Sequence, residues 1–265
     1  MTVMISSKDN EKVKYTKSLL KTKNRNKENK FIIEGYRILT LAIECNADLD
    51  YVFINEDFEN KKEHSQFLDV LKNKNIKIYK ATNKIFNELV DTENTQGILA
   101  VVGFKNRDID NNIEDSHKFV LILDRIQDPG NMGTIIRTAD AAGVDAIINL
   151  KGCVDIYNPK VIRSTMGSIF DMNIIQSTQE EALRVLKNNN FEIVSSYLNT
   201  DNYYNTVSYN NKVALVIGNE ANGVNDELIS ISDTLVKIPI YGNAESLNAA
   251  ISSAILMYEI KKSLV

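Results

Sequence analysis

The chain has 265 residues, 43% hydrophobic and 25% charged, with 11 Gly and 3 Pro; this is ordinary globular composition and excludes disorder along the whole length. Thirty-one Lys and Arg against 35 Asp and Glu leave a net charge of −4, which excludes an all-over basic coat for nucleic acid. Two Cys and two His make neither a disulfide framework nor a zinc ligand set, and no apolar run approaches the roughly 18–20 residues that span a bilayer. The expectation is a reduced, cytoplasmic protein with no metal and no membrane partner.

Charge is unevenly spread along the chain. Residues 1–30 hold nine cations against three anions, a net +6, so the remainder carries −10. A basic arm on an acidic body points to a polyanion met at one end of the molecule; a solvated helix face is the plain alternative. Lys12–Leu20 reads as a short basic helix and Lys21–Lys30 as a mobile loop, with Lys21, Lys23, Arg25 and Lys27 as candidate phosphate contacts. Phe31-Ile32-Ile33 is a buried strand, followed by a helix with Ile38, Leu39, Ala42 and Ile43 on one face. A strand at Tyr51–Ile54, a helix near Ser65–Asn73, a strand at Ile76–Tyr79, a helix near Asn83–Val90 and a strand at Gly97–Val102 complete a small α/β unit. The polar stretch from Lys105 to Lys118 marks a boundary. The expected division is residues 1–106 as an N-terminal domain, 107–117 as a linker and 118–265 as a second domain.

Phe119–Leu123 is a continuous apolar run, as for a strand buried on both faces. A turn at Asp128-Pro129-Gly130, a helix from Met132 to Ala142 and a strand at Asp145–Leu150 make a parallel crossover. A helix after Pro159, an apolar stretch at Met172–Ile175, a helix at Gln179–Lys187, strands at Phe191–Tyr197, Val213–Ile217 and Leu235–Ile238, and a last helix from Ser246 to about Lys261 continue the α/β alternation. Parallel sheets place ligands at their carboxyl ends. Three loops fall there: Asp128–Gly133, Gly218–Gly223 and Ile238–Asn248. None is a dinucleotide or P-loop fingerprint. Their Gly130, Gly133, Gly218 and Gly223 serve equally as turn residues, and Ser246 as the cap of the last helix. Arg137 stands out, since it sits among Ile135, Ile136, Ala139, Ala141 and Ala142 and needs a partner or a task. Glu220, between small turn residues, either anchors its loop or belongs to a site.

The blocks DRIQDPGNMGTIIRTADAAG (Asp124–Gly143), LVIGNEANGV (Leu215–Val224) and IPIYGNAESLNAAISSAI (Ile238–Ile255) resemble, in order and spacing, the three motifs of the SpoU/TrmH RNA 2′-O-ribose methyltransferases of the SPOUT class. KFIIEGYRIL (Lys30–Leu39) and DTENTQGILAVV (Asp91–Val102) resemble that family's N-terminal substrate-binding domain, itself similar to a small ribosomal RNA-binding protein. Ala221 and Asn94 depart from the pattern, where glycine and proline are usual.

The resemblance implies an α/β chain with a C-terminal trefoil-knotted, parallel-sheet methyltransferase domain that binds S-adenosylmethionine and works as a homodimer. The implied cofactor residues are Ile217, Gly218, Asn219, Gly223, Ile238, Ile240, Ser246, Leu247 and Asn248. Catalytic roles map to Asn131, Arg137, Glu220, Ser246 and Asn248, with Asn131 and Glu220 holding Arg137 and the ribose. Because a guanidinium stays protonated in water, orienting phosphate and hydroxyl suits Arg137 better than acting as base. Arg37 and Arg163 join the basic arm as RNA-binding candidates, and Ser164 and Gly167 fall near an expected active-site turn. The implied substrate is ribosomal RNA, most simply 23S; transfer RNA, or a non-catalytic RNA-binding role on the same scaffold, are the alternatives. An apolar face on the last helix (Leu247, Ala250, Ile251, Ala254, Ile255, Tyr258) serves either a subunit contact or the core.

Overall fold

The computed structural model describes residues 2–90, 92 and 94–265, without the side chain of Thr2. Asp91 and Glu93, in the second N-terminal block, lie outside the described residues. The chain forms two compact units: 1–105 with 157–170, and 106–156 with 171–265.

The first unit contains β1 (Thr2–Ile5), α1 (Glu11–Ser18), α2 (Thr22–Glu28), β2 (Lys30–Glu34), α3 (Tyr36–Glu44), β3 (Leu49–Ile54), α4 (Glu56–Glu59), α5 (Ser65–Asn73), β4 (Lys77–Ala81), α6 (Asn83–Phe86) and β5 (Ile98–Gly103). Its sheet runs β1-β4-β3-β5-β2, with β5 antiparallel to both neighbours. Segment Lys21–Lys30 is not the expected mobile loop, because Arg25 locks it into α2. The Arg25 side chain is 1% exposed, and its Nη1 donates to the carbonyls of Leu19 and Leu20 at 2.9 and 2.8 Å. These are carbonyls that the end of α1 leaves without helical partners. The expected helix Asn83–Val90 stops at Phe86, and β1 and α4 went unread in the sequence because each is only four residues long.

The second unit contains α7 (Ile109–Asn112), β6 (Phe119–Leu123), α8 (Pro129–Ala142) and β7 (Ala146–Leu150) before the chain leaves it. The excursion carries α9 (Pro159–Thr165), which belongs to the first unit. The second unit resumes with β8 (Ile174–Ser177), α10 (Gln179–Asn188), β9 (Glu192–Ser196), β10 (Val213–Ile217), α11 (Asp226–Ile231), β11 (Thr234–Val236) and α12 (Ala249–Leu264). Its sheet, β11-β9-β10-β6-β7-β8, is parallel at every pairing. Strands β6, β7 and β10 are buried at every position, the pattern that helices covering both faces demand. Val120, Ile122, Ile148 and Val216 share a core with Val185, Leu186 and Leu228 on one side; α12 packs on α8 and β10.

Residues 107–117 are not a spacer. Ile109 and Ile113 are buried in the second unit's core, and Asp110 pairs with Arg184 of α10 at 2.7 Å. The stretch looked like a linker because its apolar residues are isolated among Asn and Asp.

The excursion is held in the first unit by apolar contact. Ile162 is 1% exposed in a core with Phe31, Leu39 and Val102, and the Tyr157 ring stacks on Phe104 at 4.0 Å and tilts over Phe31 at 4.7 Å. Replacing Tyr157 with Ala is expected to destabilise the protein by about 2–3 kcal/mol, read as a lower urea midpoint in the full chain; an unchanged midpoint contradicts this packing role.

Candidate functional site

The carboxyl ends of β6 and β10 lie side by side, so the loops that follow them are neighbours by register. After β10, Gly218 turns the chain so tightly that a Cβ there would lie 2.1 Å from Gly223 C and Val224 N. Only glycine fits such an approach. Asn219 and Gly223 exchange backbone hydrogen bonds at 3.0 and 2.9 Å, and the Asn219 side-chain oxygen accepts from the N–H groups of Ala221 and Asn222. Loop 219–223 is thus wound around one amide, and Ala221 in place of the family's glycine is accommodated as an exposed residue.

After β6, Asp124 is 2% exposed and takes a two-pronged hydrogen bond from Arg125 (Nε–Oδ1 2.9 Å, Nη2–Oδ2 2.8 Å). Asp124 also accepts the N–H of Asn225, Arg125 reaches the Gly223 carbonyl, and Asn219 Nδ2 donates to the Arg125 carbonyl. This ion pair therefore joins the two loops. Nothing in the sequence singled it out, since an adjacent Asp-Arg pair at a strand end is unremarkable until the second loop is seen beside it.

Glu220 is the anchor of its loop. Its Oε1 accepts from Asp128 N (3.1 Å) and Asn131 Nδ2 (3.0 Å), and its Oε2 from Gln127 N (3.2 Å). Asn131 sits in the first turn of α8, whose start is fixed by the Asp128 cap on Asn131 N and by Pro129. The relay continues outward: Asn248 Nδ2 donates to Asn131 Oδ1 at 2.9 Å, while Asn248 Oδ1 caps α12 through the N–H groups of Ala250 and Ile251. Asn248, not Ser246, is the cap of α12.

Burial raises the Glu220 pKa, but the Asn131 amide and the backbone N–H groups of Asp128 and Gln127 outweigh it and hold the carboxyl below its ordinary 4.5. The neighbouring Cys153 thiol is pushed up to about 11 by burial.

A cleft of about 440 Å³ opens at this end of the sheet. Of the residues implied by the motifs, Ile217, Gly218, Asn219, Gly223, Ile238, Ile240, Ser246 and Leu247 line it, with Glu220; Asn248 does not. The walls also include Tyr197, Leu198, Asn199 and Lys237, none singled out from the sequence. The signal was the carboxyl end of β9, but only the strand order shows β9 to be the neighbour of β10.

Arg137 is exposed on α8 and makes no hydrogen bond or ion pair among the described residues. The expectation that Glu220 and Asn131 hold its guanidinium is not met, because their polar atoms are engaged with Gln127, Asp128 and Asn248.

In the first unit, Lys21, Lys23, Lys27 and Arg37 are exposed and Arg163 is half-buried. Lys27 lies 3.7 Å from Glu28. Arg25 is withdrawn as a phosphate contact, since its guanidinium is spent on the Leu19 and Leu20 carbonyls just after α1 and on Thr22. Among the described residues no cluster of three or more His, Cys, Asp or Glu side chains is placed to hold a metal ion, and no helix is long and apolar enough to cross a membrane.

Comparison with known proteins gives the class. The SpoU rRNA methylase family model matches residues 118–258, and the MRM3-like substrate binding domain matches residues 10–100. The chain belongs to the SpoU rRNA methylase family. It is 33% identical over 257 residues to the 23S rRNA (guanosine(2553)-2′-O)-methyltransferase RlmP of Bacillus subtilis, covering 97% of this chain and 98% of that protein. Its fold matches the S-adenosylmethionine-bound rRNA methyltransferase of Sinorhizobium meliloti, with 27% identity and a TM-score of 0.89 over 100% of this chain and 99% of the other. The SpoU methyltransferase AviRb of Streptomyces viridochromogenes, bound to the same cofactor, gives 26% identity and a TM-score of 0.85 over 96% and 97% of the two chains.

The Glu220 carboxylate generates a pH dependence. Its pKa is lower in the folded protein than in the unfolded chain, so its stabilisation is complete above 4.5 and is lost as pH falls through the lower folded value. Ligand binding at the cleft is expected to persist at pH 4.5 and to fail only as pH falls through the lower folded value, with the acid limb absent in Glu220→Gln. An acid limb unchanged in that variant places the titrating group elsewhere.

Proposed function

We propose that this protein transfers a methyl group from S-adenosylmethionine to a ribose 2′-hydroxyl of 23S ribosomal RNA. The observation that carries the reading is the cleft at the ends of β9 and β10, walled by the second and third motif loops and lying beside the relay Glu220–Asn131–Asn248. Its volume falls inside the roughly 300–1,000 Å³ of small-ligand pockets. Ile217, Ile238, Ile240 and Leu247 supply apolar walls for adenine, and the glycine at 218 lets the loop wall close against Gly223 and Val224. The donor, when bound, supplies an electrophilic sulfonium methyl group.

The chain's own part is placement, which supplies much of the rate in a displacement between two bound groups. Glu220, Asn131 and Asn248 are the catalytic candidates that fix the three loops, and Ser246 lines the cleft with Glu220. Arg137, charged and without an intramolecular partner among the described residues, is assigned to orient phosphate and hydroxyl; a permanently protonated guanidinium binds an anion well and abstracts a proton poorly. The first unit grips the RNA through Lys21, Lys23, Lys27, Arg37 and Arg163, which supports a substrate-binding unit of residues 1–105 with 157–170 and a methyltransferase unit of 106–156 with 171–265. Two further elements belong to the reading: a trefoil knot in the second unit, supported by the full-length match to SPOUT-class enzymes, and a homodimer. The dimer is supported by α12, which buries Leu256, Met257 and Ile260 but leaves Ile251 and Tyr258 more than half exposed one heptad apart. Its place of action is the cytoplasm, with the ribosomal RNA.

Labelled methyl transfer to total RNA, with the modified ribose mapped, tests the reading. Arg137→Ala is expected to lose at least about 100-fold in methyl transfer, the scale of one oriented transition-state group, while cofactor affinity stays within a few fold. Wild-type turnover in that variant removes Arg137 from the mechanism, and incorporation into transfer RNA alone moves the substrate to that class.

Neutralising Lys21 and Lys23 together is expected to weaken RNA binding and lower the slope of log affinity against log salt by about 2. Arg25→Ala, by contrast, is expected to lower the melting temperature. Unchanged salt dependence in the double lysine variant returns α2 to a solvated face.

A further inference from the structure

The third motif loop divides in two. Ile238, Ile240, Glu245, Ser246 and Leu247 line the cleft, whereas Tyr241, Gly242, Asn243 and Ala244 do not and form a tip outside it. Tyr241 is 95% exposed, far above any other exposed aromatic among the described residues. It makes no hydrogen bond, ion pair or ring contact there, and a Cβ built on the neighbouring Gly242 meets nothing within 4 Å. A tyrosine normally buries its ring against the protein and turns its hydroxyl to a polar partner; this one leaves both ring and hydroxyl to solvent.

We propose that Tyr241 is the stacking platform for the base of the nucleotide being methylated, and so a specificity-determining residue of the reaction. The proposal rests on the RNA ribose methylation argued above. The acceptor ribose must reach the cleft mouth, and its base then lies within a nucleotide's span of that mouth. Tyr241 follows Ile240, a cleft residue, at one peptide's length of about 3.8 Å, so its ring stands at the rim where the base arrives. The flanking Gly242, Asn243 and Ala244 are small or polar and leave both ring faces open. A flat base fits such a site, and aromatic stacking is the usual means of holding an unpaired RNA base. A subunit interface would instead call for a broad apolar patch, as α12 offers at Ile251 and Tyr258.

The test uses the full-length protein and a ribosomal RNA fragment containing the ribose that wild type methylates, with a matched fragment abasic at that nucleotide. For Tyr241→Ala, kcat/KM for RNA is expected to fall about 10- to 100-fold, the factor carried by one base–aromatic stack, with S-adenosylmethionine affinity and solution mass unchanged. Tyr241→Phe is expected within twofold of wild type. Wild type should lose the same factor on the abasic fragment, and Tyr241→Ala should lose nothing further there. Equal losses of wild type and Tyr241→Ala on removing the base overturn the proposal, as does an alanine variant that turns over like wild type. A change in solution mass assigns the ring to a second copy of the chain, and a change in cofactor affinity assigns it to the cleft wall; either overturns it too. Wild-type protein that methylates no ribose overturns the reading of the function itself, an outcome distinct from all of these.

Discussion

The site depends on one carboxylate. Glu220 faces three backbone or amide donors across a gap between loops about 90 residues apart in the chain, and through Asn131 and Asn248 its hold extends to the first turn of α12. Each loop alone is short, exposed and rich in small residues, the composition of a segment with many accessible conformations. Bound together by charge-assisted hydrogen bonds, they become one rim with a defined cleft behind it. The pair of buried Asp124 and half-buried Arg125 braces the same rim, so its geometry is built into the protein before any ligand arrives.

This arrangement separates two duties that a reading of the motifs alone combines. Asn131 and Glu220 appear there as groups that hold Arg137, yet their lone pairs and protons are satisfied by the scaffold. Arg137 is left with its full charge facing solvent. A guanidinium without internal partners has paid no desolvation and is free to meet a phosphate, whereas one clamped by Glu220 would have to exchange one anion for another.

Much of the second unit was legible because burial on both faces leaves a plain mark: Phe119–Leu123, Asp145–Leu150 and Val213–Ile217 can be little else than central parallel strands. The motif loops were legible as well, since Gly218, Asn219 and Glu220 combine residue types that a tight turn and a polar site require. What escaped was contact between distant segments. Arg25 looks like any cation in a run of lysines until the carbonyls of Leu19 and Leu20 are placed beside it, and Tyr197–Asn199 belong to the cleft only because β9 is the neighbour of β10. Residues 107–117 misled for the opposite reason, since Ile109 and Ile113 are enough to seat a polar stretch in the core.

The excursion at 157–170 bears on how the protein comes into being. The first unit's core is incomplete until Tyr157, Ile162 and Phe170 have been made, by which point β6, α8 and β7 have already been synthesised. The two units therefore cannot mature one after the other along the nascent chain. The N-terminal one waits, with part of its apolar surface uncovered, while the first half of the second is made, and a gene cut at residue 105 would strip the first unit of Tyr157, Ile162 and Phe170 and leave those side chains uncovered on the second piece.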